Sequence, residues 1–162
     1  MSIARELLIR IRDDLRGIKP SAGYASDLGS RVWLGDPEMA VIDGELPAAW
    51  VTGWSIASRD DDHLGAFRRT LTVQIVAATR GLSDDPGDDE IEGPAFRAIA
   101  ATDLVNDIVR ALEGDRQLGR GDVVVMRAEA QTIDGAKLEI PGVGMAFVTA
   151  TYEYITPAEV GV

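Results

Sequence analysis

One histidine, His63, stands in the run Arg59-Asp60-Asp61-Asp62-His63, and the chain contains no cysteine. With a single imidazole and no thiolate, the usual nucleophile–base pairs and zinc ligand sets are out of reach of one copy of the chain. His63 reads as an exposed residue of a polar turn between two strands. The acidic run of Asp84, Asp85, Asp88, Asp89, Glu90 and Glu92 offers oxygen ligands of the kind a hard cation wants. Pro86 and Gly87 interrupt it, however, and no bidentate acid closes it at EF-hand spacing, so it reads as a solvated loop. Gly142-Val143-Gly144 lacks the third glycine of a dinucleotide fingerprint and precedes a strand where that fingerprint needs a helix. Carboxylate pairs suited to glycoside hydrolysis can be drawn from any chain this acidic, and nothing selects one. The expectation is therefore no catalytic residue, no metal site, no cofactor and no enzymatic activity.

Other residues suit contact better than chemistry. Trp50 and Trp54 fall in a candidate strand, where core packing or a subunit interface explains them. Arg68 and Arg69 are adjacent in a strand, so they point to opposite faces and at most one can enter the core. The other can pair with a partner's carboxylate. Arg68, Arg69, Trp50 and Trp54 are the candidate interface residues.

The elements that must position these residues are legible in the spacing. Ile3, Leu7, Leu8, Ile11, Leu15 and Ile18 draw one apolar stripe along a helix, with Ser2 able to cap it and Gly17 to end it. A turn over Pro20, Ser21, Gly23 and Tyr24 leads to two short apolar segments, Arg31 to Leu34 and Met39 to Ile42, which read as a strand pair. Ala49 to Ile56 reads as a strand that bends or bulges at Gly53. In Phe67 to Thr79 the residues Phe67, Leu71, Val73, Ile75 and Ala77 share one face, and Arg68, Thr70, Thr72 and Gln74 the other. A loop, Gly81 to Pro94, precedes a helix over Ala95 to Glu113 that is ended by Gly114 and buries Ile99, Leu104, Val105, Ile108, Val109 and Leu112. Asp122 to Ile133 and Gly142 to Ile155 are two further strands. This order predicts a single α+β domain over residues 1–162, with an antiparallel or mixed sheet and two helices packed on one face. The other face and the sheet edges are left for partners.

Composition narrows the partners. The net charge is −11, from 27 acidic and 16 basic residues, and only Lys19 and Lys137 are lysines. Generic duplex binding draws its affinity from cations that displace counterions around phosphates, so this balance opposes it. A negatively charged wall would instead repel DNA passing nearby and leave it free to slide. The N-terminal MSIARELLIRIRDD interleaves charge with apolar residues, and no apolar run approaches membrane-spanning length. No membrane partner is expected, and synthesis in the cytoplasm is.

The whole pattern resembles the tail-terminator or tail-completion proteins of long-tailed bacteriophages. The landmarks are the N-terminal helix running into a Gly-Tyr turn (IRIRDDLRGI, then SAGYASDLG), the alternating strand FRRTLTVQIVAAT before an acidic loop, and the helix DLVNDIVRALEGDRQLG followed by strand, loop and a last strand ending in Tyr152 and Tyr154. The resemblance implies a virion protein made in the host bacterium and placed at the head-proximal end of the tail. It implies a homo-hexameric ring that caps the tail tube, stops its polymerisation and offers a surface to the head–tail connector protein, with DNA present only in passage. It also places the loop from Asp84 to Glu92 on the lumen or an end surface of that ring.

Three alternatives stay open at this point. Head–tail joining and head-closure connectors are also small ring subunits. A small acidic enzyme or ligand-binding module would have to work with carboxylate, Arg, Tyr and Ser groups alone. A regulatory DNA mimic would need carboxylates in a spaced double row, whereas those at Asp60 to Asp62 and Asp84 to Glu92 cluster as in loops.

Overall fold

A computed structural model describes residues 2–38, 44–61, 66–80, 94–134, 138 and 142–157. The chain is an α+β domain: a mixed five-stranded sheet with two helices. The elements are α1 (Ile3–Arg16), β1 (Val32–Leu34), β2 (Ala48–Asp61), β3 (Ala66–Thr79), α2 (Pro94–Gly114), β4 (Val123–Asp134) and β5 (Gly144–Pro157). Across the sheet the order is β1, β2, β3, β5, β4; β1 runs parallel to β2, and every other pair is antiparallel.

The first helix forms as its spacing dictates. The Ser2 hydroxyl accepts from the Arg5 N–H at 3.3 Å, and Leu7, Leu8, Ile11 and Leu15 turn inward. Leu104, Ile108 and Leu112 of α2 and Leu71, Val73, Ile75, Val148, Ala150 and Tyr152 of the central strands complete the core. Each fully buried Leu or Ile contributes about 1.5–3 kcal/mol, so this stripe-on-sheet packing carries most of the stability.

The segment between α1 and β1 is pinned onto α2 by polar contacts. Asp107 is 4% exposed and accepts from the Ala25 N–H at 3.1 Å, the Ser26 N–H at 2.8 Å and the Ser26 hydroxyl at 2.6 Å. One turn further on, Arg110 donates to the Gly23 carbonyl at 2.6 Å and lies over the Tyr24 ring. Gly23 holds φ at +87°, a conformation that favours glycine. The Gly-Tyr turn and the helix DLVNDIVRAL, two separate landmarks in the sequence, are thus one docked unit.

β1 pairs in parallel with β2, and Met39 to Ile42, its expected mate, lies outside the described residues. β2 runs on through Asp61, so Arg59 to Asp61 is strand where a turn was expected; the hairpin with β3 keeps its register to Asp61↔Ala66. The face away from the helices is not wholly open. At one end Ala48, Trp50, Val76, Ala78, Val143 and Met145 form a second small core, because the chain around Leu46 and Val143 folds over that end. His63 and the acidic residues Asp84, Asp85, Asp88, Asp89, Glu90 and Glu92 lie outside the described residues.

A candidate assembly interface

The bulge in β2 sets up an exposed apolar surface. Register with β3 shifts between Thr52 and Ser55, and Gly53 there holds φ at +57°. β1 covers the edge of β2 only from Ala49 to Val51, so among the described residues the edge from Ser55 to Asp61 has no neighbouring strand. Beside it large apolar side chains stand in solvent: Trp33 at 37%, Leu34 at 36%, Trp54 at 45% and Ile56 at 51% exposure. Leu34, Trp54 and Ile56 join Leu8 and Ile9 of α1 to line a groove of about 490 Å³, whose rim carries Arg5 and Arg12. A bare edge presents unpaired backbone N–H and C=O groups, and exposed apolar residues beside it make it a candidate for pairing with another strand.

The candidate interface residues divide. Trp54 is in this exposed group. Trp50 is not available: it is 2% exposed, in the second small core, with Trp33 stacked over it at 5.8 Å between ring centroids. Arg68 and Arg69 do face opposite ways. Arg68 meets Glu153 at 3.3 Å on the open face, and Arg127 of β4 reaches the same carboxylate at 3.6 Å. Arg69 lies on the helix-covered face, half-buried, with its Nε lacking a hydrogen-bond partner. Around the Arg68–Glu153–Arg127 chain the open face is polar, formed by Thr70, Thr72, Gln74, Thr149, Thr151 and Glu129.

One titratable cluster escapes reading by motif. Arg10 on α1 lies 2.7 Å from Asp115, in the turn after α2, and 3.4 Å from Asp14. Burial, then the hydrogen bond to Asp115 and its negative charge, push Asp14 up to about 7. Burial acts to raise Asp115 too, but hydrogen bonds from Asp14 and Arg10 outweigh it and hold that carboxyl below its usual range. The pair therefore shares a proton near neutral pH, carried mainly by Asp14. Burial keeps the nearby Tyr152 phenol protonated, and its hydroxyl has no hydrogen-bond partner. A protonated carboxyl beside an ionised one has the makings of an acid–base pair, but it is tied to Arg10 and to the Gly119 N–H as a clamp between α1 and the α2–β4 turn. A signal for it existed: Leu7, Ile11, Asp14 and Ile18 follow spacings of four, three and four, which put Asp14 on the apolar stripe.

Among the described residues no three His, Asp or Glu side chains converge as a metal site requires, and no helix is long and apolar enough to cross a membrane. No protein-family model matches the chain, and no curated protein matches it as a relative.

Proposed function

We propose that this chain is a structural subunit of a bacteriophage particle, a tail terminator that forms a ring on the last ring of the tail tube, ends tube polymerisation and presents the surface to which the head attaches. The observation that carries the reading is the unpaired β2 edge with Trp33, Leu34, Trp54 and Ile56 exposed beside it. Exposing these groups costs solubility and gains nothing in an isolated domain, and a partner that covers them recovers about 25 cal/mol for each Å² of apolar surface. A closed ring supplies that partner through a heterologous contact, one patch docking on a different patch of the next copy. The resemblance in helix, turn and strand order adds the place: the head-proximal end of the tail. The ring's partners are then further copies of itself, the tail-tube protein and the connector protein. Function is mechanical, and the net charge of −11 suits a wall past which DNA slides.

Electron microscopy of particles assembled without this chain tests the proposal. Overlong or irregular tails are the expected phenotype, restored to regular length by the wild-type chain. Regular tails that fail to join heads would instead assign the chain to the connector, and normal particles would remove it from assembly altogether.

A further inference from the structure

The β2 edge requires a complement, and the opposite edge of the same sheet provides one. β4 pairs only with β5, so among the described residues its outer side is unpaired along Val123–Asp134. Among the described residues two unlike stretches of strand edge longer than three residues are thus free, seven residues on β2 (Ser55 to Asp61) and a longer one on β4. We propose that β4 of one copy adds antiparallel to the lower half of β2 of the next, with Arg59 opposite Glu129. This inference rests on the ring reading above and specifies its subunit contact.

Direction and register follow from what is already in place. In a ring with the strands of all copies similarly oriented, β2 and the neighbour's β4 run in opposite senses, because β2 and β4 are antiparallel within one sheet. Without stagger, Ala57 would be level with Thr70, Glu153 and Val125. The neighbour's β4 would then collide with β1, since Leu34 already occupies the side of Val51, which is level with Ala130. Sliding β4 along until Ile133 stands opposite Ser55 clears β1 and fits Arg127 to Ile133 against the whole free length of β2. Ala57 then meets Gln131, six residues beyond Val125, and Arg59 meets Glu129.

Two observations fit this register. Arg59 and Glu129 are both exposed, lie on the open face and show no ion pair within the chain among the described residues, so each supplies what the other lacks. Arg59 also stands directly across from Arg68, a like-charge pairing that a neighbour's carboxylate relieves. The stagger is of the right size. Six residues at about 3.3 Å, over four strands spaced about 4.8 Å, tilt the strands by about 45°, the upper end of the range in which sheets close into barrels. The helices need the roomier convex side, so the polar face with Thr70, Thr72, Thr149 and Thr151 turns toward the bore.

Because the chain has no cysteine, cross-linking reads the contact directly. Residues directly opposite in an antiparallel pair have Cα atoms about 4.5–5.5 Å apart, within disulfide reach. The full-length chain carrying Ala57→Cys with Gln131→Cys, or Arg59→Cys with Glu129→Cys, is oxidised in concentrated solution and on isolated tail tubes, then resolved under denaturing conditions. A ladder of covalent multimers is expected from both, and none from the unstaggered control Ala57→Cys with Val125→Cys. Arg59→Glu and Glu129→Arg are each expected to weaken self-association at least tenfold, and the double variant to restore it. Rings seen by electron microscopy without a ladder, or with a ladder only from the control, overturn this contact and leave the ring reading standing. Failure of the wild-type chain to self-associate in solution and on tubes overturns both.

Discussion

Replacing Asp14 by asparagine should stabilise the protein at neutral to alkaline pH. In the folded chain Asp14 titrates at about 7, raised from 3.8. Below the lower value the carboxyl is protonated folded or unfolded and contributes nothing. Between the two the folded state holds a proton that the unfolded state has lost, so stability falls as pH rises, and above about 7 the full cost of a buried ion is present. Three pH units at about 1.4 kcal/mol each set an upper bound of about 4 kcal/mol. The lowered Asp115 acts in the opposite sense and Arg10 attracts both carboxylates, so a net gain of about 2 kcal/mol is expected. The asparagine amide is nearly the same size as the carboxyl and carries no charge, so it removes the cost of the buried ion. For a chain of this size that gain raises the melting temperature by about 4–8 °C. Circular-dichroism melts of both proteins from about pH 4 to about pH 8 should show near-equal stability at the acid end and a gap that opens as pH rises. A variant that melts below wild type at about pH 8, or a gap that is constant with pH, refutes the shared-proton clamp.

Further outcomes follow from the packing. Asp107→Ala leaves two backbone N–H groups and the Ser26 hydroxyl without their acceptor and should cost about 2–4 kcal/mol in denaturant unfolding. Gly29→Ala would drive a Cβ into the Arg16 carbonyl oxygen and to 2.6 Å from that of Ile18, so a loss of about 3 kcal/mol or more is expected, read as poor recovery and an early melt. Ile56→Asp, on a side chain 51% exposed, should leave the isolated chain's melting temperature within about 2 °C of wild type while abolishing self-association in sedimentation velocity.

Periodicity carried most of the fold. The α1 stripe, the alternation of β3 and the glycines at Gly17, Gly53 and Gly114 mark their elements with residue accuracy or close to it, because a single local rule governs each. What stayed illegible is non-local. That Val32 to Leu34 runs parallel to Ala49 to Val51 depends on a crossover whose local signal favours a hairpin. Trp50 and Trp54 look alike in sequence, yet the bulge between them sends one under Trp33 and leaves the other at the edge. Asp14 and Asp115 meet across the domain, and Asp107 reaches back to Ser26, neither of which spacing along the chain reveals. Of the four residues singled out from the sequence for contact, Trp54 stands exposed at the β2 edge and Trp50 is buried; the exposure of Leu34 and Ile56 beside Trp54 had no signal, because each sits in an unremarkable strand run.

The most direct test is to locate the chain in the particle. A small epitope tag fused to this protein, labelled with gold on intact virions and viewed by electron microscopy, should mark one position per particle, at the junction of tail and head. Label along the tail, at its distal tip, or on no particle at all would contradict the account.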